Sequence, residues 1–280
     1  MKYFKNFLFF SFLLFFFLLL TSCNNNTQQN NKKIRIAGST TLSSITNVWK
    51  ELFEEENPNI EIEYEGIGSN IGIKLLLDNK IDIASISREL TKEEKKYTNN
   101  IEVGRDALAI VVNKQNSINN LSLNDLKNIF SGKIKNWKEL GGENKVIQLV
   151  NLRKEAGSYT YIKDKIMCLD NKCEEISSNA IILTANSDVK RSVEIIPGAI
   201  AYVSYGFLDD RIKILSIDSI PLNKHNIENS KYPLVRNLYY VKLKENSSES
   251  VDKFFKAVLS EKYQKLLLRE GFIPSSETLL

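Results

Sequence analysis

The sequence predicts an α/β protein of two lobes, built on parallel sheet with helices on its faces. Three observations carry that class. Between Ile34 and Ile86, strand-like and helix-like segments alternate in the order β-α-β-α-β, the pattern of a parallel sheet. Ala107-Leu108-Ala109-Ile110-Val111-Val112 is a continuous apolar run, the composition of a strand buried on both faces. The 280 residues are 42% hydrophobic and 26% charged, a globular balance at a length that allows two ordinary domains. No internal repeat and no long linker divides the body of the chain.

The first 22 residues stand apart from that body. Lys2 and Lys5 precede Phe7–Leu20, in which only Ser11 is polar. This run is shorter than the roughly 18 or more apolar residues of a comfortable membrane span, and it reads as a signal peptide. It ends Leu20-Thr21-Ser22-Cys23, which resembles the lipobox of bacterial lipoproteins, where cleavage precedes a cysteine that carries diacylglycerol. An ordinary signal or short anchor with an incidental cysteine is the alternative. Residues 23–33, rich in Asn and Gln, read as a flexible tether. Loss of Lys2 and Lys5 lowers the formal net charge from +4 to +2. The expected mature protein is thus nearly neutral and lies outside the cytoplasm, held to the membrane by its lipid and facing the periplasm or exterior.

The elements of the body follow in order. Ile34–Ala37 is a short strand stopped by Gly38. Leu42, Ile45, Val48, Trp49, Leu52 and Phe53 recur at helical spacing, and Asn57-Pro58 ends that helix. Ile60, Ile62 and Tyr64 alternate with Glu61, Glu63 and Glu65, a strand with one wet face. A turn at Gly66–Asn70 leads to a helix bearing Ile73, Leu76 and Leu77, and Ile81–Ile86 is the third strand. Beyond the apolar run, Ser122 and Asp125 form a capping-box pattern ahead of Leu123, Leu126, Ile129 and Phe130. Val146–Val150, Ile195–Ile196, Ala199–Ser204 and Leu238–Leu243 are strand-like, and a helix follows with Val251, Phe254, Phe255, Val258 and Leu259 on one side.

Composition excludes several chemistries. One histidine, His225, in the polar stretch PLNKHNIEN, leaves no His-rich metal site and little basis for His-dependent catalysis. Three cysteines cannot make a four-cysteine zinc site, so no metal and no cofactor is expected. Cys168 and Cys173 either close a small disulfide loop or remain two thiols. The interspersed charges make no case for nucleic acid. Ser131-Gly132-Lys133 lacks the glycine spacing of a P-loop. Trp49 and Trp137 sit on apolar faces and read as core.

What remains points to an anion. GSTT (38–41), GIGSN (66–70) and Ser87-Arg88 each follow a strand, and the first two open a helix. The carboxyl ends of strands in an open sheet form the ligand edge, and helix N-termini there present free N–H groups and partial positive charge. After the strand at 146–150, Arg153, Lys154, Gly157, Ser158, Tyr159 and Thr160 repeat the arrangement. Ser and Thr cap helices without binding anything. Four such sites, two with arginine in a chain of eight Arg against thirty Lys, instead indicate an anion held between two lobes.

These residues carry a resemblance. GSTT (38–41), NPNIEIEYEGIGSNIGIK (57–74), DIASISR (82–88), RDALAIVVN (105–113), LSLNDLKNIFSGKIKNWKELGG (121–142), PGAIAYVSYGFLDD (197–210), YPLVRNLYYV (232–241) and SEKYQKLLLREGFIP (260–274) occur in that order. The chain resembles the PstS family, the lipoprotein receptors of the bacterial phosphate ABC transporter. The resemblance implies a two-lobe, type II periplasmic-binding fold with a ligand cleft between lobes joined by two crossovers, lobe one at 34–107 with 231–280 and lobe two at 108–230. It implies a monomer, not an enzyme, that binds inorganic phosphate and passes it to permease subunits. Carried over by motif, the ligand contacts are Thr40, Thr41, Ser69, Ser87, Arg88, Arg153, Ser158, Tyr159 and Thr160.

Two departures from the family pattern bear on selectivity. The second-lobe loop usually reads R-x-x-G-S-G-T; here Arg153 is one residue farther from Ser158, Lys154 competes for its role, and Tyr159 replaces a glycine. Some relatives place Asp at Ser87, where it accepts the proton of hydrogen phosphate and rejects sulfate; Ser imposes a weaker penalty, unless Asp106 or Glu155 supplies the acceptor. The alternatives are the same fold tuned to another oxyanion such as sulfate or to sensing, a secreted serine hydrolase, and a surface lipoprotein with a vestigial cleft.

Overall fold

In the computed structural model the described residues are 32–169, 172–245 and 248–275. The signal segment, Cys23 and the tether through residue 31 lie outside them. The chain enters through β1 (Lys32–Gly38), then a 3-10 turn at Thr40–Leu42 and α1 (Ser43–Glu56). Helix α1 stops where Asn57 turns its side-chain amide onto the Phe53 carbonyl at 2.8 Å. The alternating Ile/Glu run forms β2 (Ile60–Glu65), with Ile62 fully buried between exposed glutamates. Next come α2 (Ser69–Leu77), β3 (Ile83–Ile86) and α3 (Lys92–Tyr97). Leu77, which the spacing assigned to the buried side of α2, is 41% exposed at the helix's last residue.

The apolar run at 107–112 lies in a longer strand, β4 (Thr98–Asn113), and is fully buried throughout. After β5 (Asn120–Leu121), α4 (Leu123–Phe130) opens with the expected capping box, the Asp125 N–H donating to Ser122 Oγ at 3.0 Å and the Ser122 N–H to the Asp125 carboxylate at 2.9 Å. Strand β6 (Gln148–Leu152) leads into α5 (Gly157–Ile162). The sulfurs of Cys168 and Cys173 are bonded. The chain continues through β7 (Ile181–Leu183), α6 (Asn186–Ile195), β8 (Ala199–Ser204), β9 (Ile212–Ile214), β10 (Ser216–Ile217) and α7 (Lys224–Glu228), on which His225 is exposed. It closes with β11 (Val235–Leu243), α8 (Glu249–Val258), α9 (Glu261–Arg269) and β12 (Ile273–Pro274). The strand expected at Ile195–Ile196 is instead the end of α6, because Val189 and Val193, one helical turn apart, bury together. Among the described residues no helix is long and apolar enough to cross a membrane.

The main sheet runs β2-β1-β3-β11-β4-β8-β6-β7, with β9 and β12 also paired to β4. Its flanks are parallel as expected, β1 with β3 and β6 with both β7 and β8. Its centre is not, since β11 runs antiparallel to β3 and β4, and β4 antiparallel to β8. The physical reason is that β4 and β11 carry the chain in opposite directions between two cores. One core draws on residues 107–235 with Ile273; the other, made of two clusters, draws on 34–103 and 238–272. In the latter, Trp49, Phe53, Tyr240 and Phe254 interlock, with Trp49 edge-on to Tyr240 at 5.9 Å and Phe53 edge-on to Phe254 at 5.0 Å. Trp137 belongs to the former, and both indoles are buried with their N–H groups on main-chain carbonyls. The segments Gly104–Asp106 and Arg236–Asn237 lie where the two strands pass from one core to the other.

Candidate anion site

The ends of β1, β3 and β6 meet the passing strands β4 and β11 at one buried polar cluster. In the register of the last two, Arg236 stands directly opposite Asp106. Their side chains are 1% and 0% exposed, with Arg236 NH2 2.7 Å from Asp106 Oδ2. Every N–H of the Arg236 guanidinium is committed. Nε and NH2 donate to Asp106 Oδ2, NH2 also donates to Thr41 Oγ1 at 3.1 Å, and NH1 donates to the Ser87 carbonyl at 2.9 Å and to Ser158 Oγ at 2.8 Å. Asp106 Oδ1 accepts from Ser204 Oγ and from the Tyr205 N–H. A buried pair so surrounded has its desolvation offset by hydrogen bonds at both ends.

Around this pair the hydroxyls form a second layer. Gly38 ends β1, and the Ser39 N–H donates to the Ser85 carbonyl and hydroxyl. Ser39 Oγ caps the following turn by accepting the Thr41 N–H at 3.1 Å, and donates to Ser87 Oγ at 2.9 Å. Ser69, first residue of α2, accepts the Ser87 N–H at 3.1 Å. Ser39, Thr41, Ser69, Ser87 and Ser158 are each no more than 1% exposed.

The loop after β6 closes over this layer. The Asn70 N–H donates to the Glu155 carbonyl at 3.1 Å, and the Asn70 amide donates to the Lys154 carbonyl and to Thr160 Oγ1. Arg153 NH2 donates to the Ile67 carbonyl at 2.5 Å, while its Nε is buried with no hydrogen-bond partner. Two glycines permit this approach. A Cβ on Gly157 would stand 2.4 Å from Ser69 Oγ and 2.6 Å from Ser87 Oγ, and one on Gly68, whose φ is +101°, would stand 2.6 Å from the Glu155 carbonyl oxygen.

Thr41, Ser69, Ser87 and Ser158 thus come together in one network. Thr40 is beside it and half-buried, and Thr160 touches it through Asn70. Tyr159 is 8% exposed, with its ring in the apolar core of residues 107–235. Lys154 is exposed, whereas Arg153 reaches across the interface. Arg88 is buried at the rim, with four of its five N–H groups spent on both oxygens of Glu94, the Glu89 carbonyl and Asn70 Oδ1. The residue that motif reasoning missed is Arg236, an arginine inside the apolar YPLVRNLYYV run. Tyr161 packs by it, the guanidinium 6.0 Å from the ring centre, and burial pushes the phenol up to about 12 against the opposing pull of Arg236. Among the described residues no group of His, Cys, Asp and Glu is placed to hold a metal ion.

A profile for the PBP superfamily domain matches residues 24–262. The phosphate-binding protein PstS of Borreliella burgdorferi is 31% identical over 250 residues, 86% of this chain and 90% of that one. A substrate-binding protein from Clostridium perfringens, described as belonging to a phosphate ABC transporter and solved with bound phosphate, superposes with a TM-score of 0.82 at 30% identity, covering 88% of this chain and all of that one. An ABC-type phosphate transport receptor from Vibrio cholerae superposes at 0.76 with 29% identity, over 86% of this chain and all of that one. The mixed sheet and divided core described above are therefore a two-lobe periplasmic-binding fold.

Proposed function

This chain belongs to the PstS family of phosphate-binding proteins within the PBP superfamily, and from that premise we propose that it captures inorganic phosphate between its lobes for delivery to an ABC-type permease. The observation that carries the reading is the reach of Arg236, which touches Thr41 and Ser87 on one side of the cleft and Ser158 on the other. The hydroxyls that bond to one another and to that guanidinium are of the kind that turn to the oxygens of a tetrahedral anion. Backbone N–H groups at the starts of the 3-10 turn and of α2 add donors. The ligand set we assign is Thr40, Thr41, Ser69, Ser87, Arg153, Ser158 and Thr160, with the Tyr159 N–H; Arg88, which the resemblance also implies, is left out of it because Glu94, Glu89 and Asn70 take four of its five N–H groups.

The lobes we assign are 34–107 with 231–280, and 108–230; the separate cores support a division near these points, although Ala107, Tyr232, Leu234 and Ile273 pack in the core of the second lobe. Binding draws the lobes together because the closed form holds the ligand better than the open one does. The protein works as a monomeric receptor without chemistry on its ligand, exported by the signal at 1–22 and tethered through lipid on Cys23. Isothermal titration with phosphate tests the reading. Saturable binding is expected, and its absence alongside saturable binding of sulfate would overturn it.

One observation favours a second reading, a site with soft discrimination between phosphate and sulfate. Ser204, Tyr205 and Arg236 already donate to both oxygens of Asp106. With Asp106 so engaged and Ser at position 87, Glu155 is the remaining one of the two carboxylates named from the sequence. Sulfate at a hundredfold excess then displaces bound phosphate measurably, whereas a strictly selective site would show no competition.

A further inference from the structure

Arg88 and Asn70 form a chain of hydrogen bonds that begins at a helix cap and ends on the opposite lobe. Glu94 closes the capping box of α3, its Oε2 accepting the Thr91 N–H at 2.8 Å while its own N–H donates to Thr91 Oγ1. Both oxygens of that carboxylate receive Arg88, at 2.8 and 2.9 Å. Arg88 Nε, so fixed, donates to Asn70 Oδ1 at 2.7 Å. A guanidinium only donates and a carbonyl only accepts. The Asn70 amide therefore has one permitted orientation, with its NH2 group aimed at the Lys154 carbonyl at 3.0 Å and Thr160 Oγ1 at 3.1 Å.

We infer that Arg88 is a positioning residue, which orients Asn70 as the first-lobe half of a latch across the cleft and so sets how fast the closed protein opens. The inference rests on the reading of the cleft as a closing phosphate site. It differs from the assignment the resemblance implies, in which Arg88 contacts ligand. A direct ligand contact would speed capture by attraction and add its loss to any other. A latch made after capture acts on release, and its two members fail as one unit.

Stopped-flow phosphate binding and release on the full mature chain separates these roles, using Asn70→Ala, Arg88→Ala and the double variant. The expected result is release about tenfold faster in each single variant, the ratio equivalent to ~1.4 kcal/mol, with capture unchanged. The double variant releases no faster than the singles. Slower capture in Arg88→Ala, additive losses, or wild-type release rates in either single variant would overturn the latch. A wild-type protein that takes up no phosphate would instead overturn the proposed function. The latch is then read without ligand from hydrogen exchange at the main-chain N–H of Asn70, which donates to the Glu155 carbonyl across the cleft. That exchange is expected to quicken about tenfold in Arg88→Ala, matching a lost hydrogen bond of ordinary strength, and unchanged exchange sinks the idea. If Arg88→Ala does not fold, Arg88→Lys and the half-exposed Asn70→Ala carry the same test.

Discussion

Arg236 and Arg88 show how one side-chain type is given different work by its neighbours. Arg236 spends its five donors on a carboxylate, a carbonyl and two hydroxyls drawn from both sides of the cleft. Asp106→Asn leaves that guanidinium buried without a counter-charge and should cost ~3–5 kcal/mol in urea denaturation; a loss below about 1 kcal/mol would mean the pair behaves like a solvated one. Arg236→Lys keeps the charge but replaces a planar five-donor fork by three rotating donors. Phosphate affinity in that variant should fall by more than about tenfold, read by titration. Arg88 is instead held by Glu94. Burial pushes the Glu94 carboxyl up, but hydrogen bonds from Arg88 and the Thr91 backbone outweigh it and hold the group below its ordinary value. The resulting stability is complete above the unfolded carboxylate value of about 4.3 and fades as pH falls through the lower folded value. The melting difference between wild type and Glu94→Gln should therefore be flat from neutral pH to about 5 and shrink below it; one that widens in acid contradicts the assignment.

At the scale of elements, the site is a set of strand ends whose following turns are allowed to touch. Gly157 is the point of tightest approach, with both Ser69 and Ser87 within reach of an added Cβ. It starts a helix, where alanine is intrinsically favoured over glycine by up to about 1 kcal/mol. Overpacking of the buried Ser69 and Ser87 hydroxyls outweighs that preference, so Gly157→Ala should lower stability by about 1–3 kcal/mol and weaken phosphate binding at least about tenfold; unchanged stability and affinity would mean the loops meet less closely than described. Such turns were legible in the sequence, because GSTT, GIGSN and the Arg153–Thr160 loop each follow a strand and carry small or hydroxyl residues. Arg236 and Asp106 were less so. They meet only through the register of β4 and β11, 130 residues apart, and nothing local marks an arginine in an apolar strand as the hub of a distant site. The first half of β4 was hidden for a related reason. Thr98–Gly104 lacks apolar alternation, and it is a strand because β11 and β12 supply ladders for it.

For the whole molecule, the consequence is a body of two cores joined by two adjacent strands, with its principal buried ion pair at the joint. If closure bends β4 and β11 near Gly104–Asp106 and Arg236–Asn237, where they pass between cores, neither core has to rearrange. Hydrogen bonds across the cleft, from Asn70, Arg153 and Arg236, favour the closed form, but the ligand has to supply the difference that makes it persist. Two measurements follow on one sample. Small-angle scattering should show the radius of gyration falling when phosphate is added, and the same addition at a hundred times Kd should stabilise the fold by ~2.7 kcal/mol. For a chain of this size that is a rise in Tm of roughly 5–10 °C. Asp106→Asn, if it folds, should keep part of the thermal shift and lose part of the compaction, because the strands remain while the joint loses its fixed charge pair. Full compaction in that variant would move the hinge away from the Asp106–Arg236 level, and a thermal shift with no compaction in the wild type would mean that phosphate binds a body already closed.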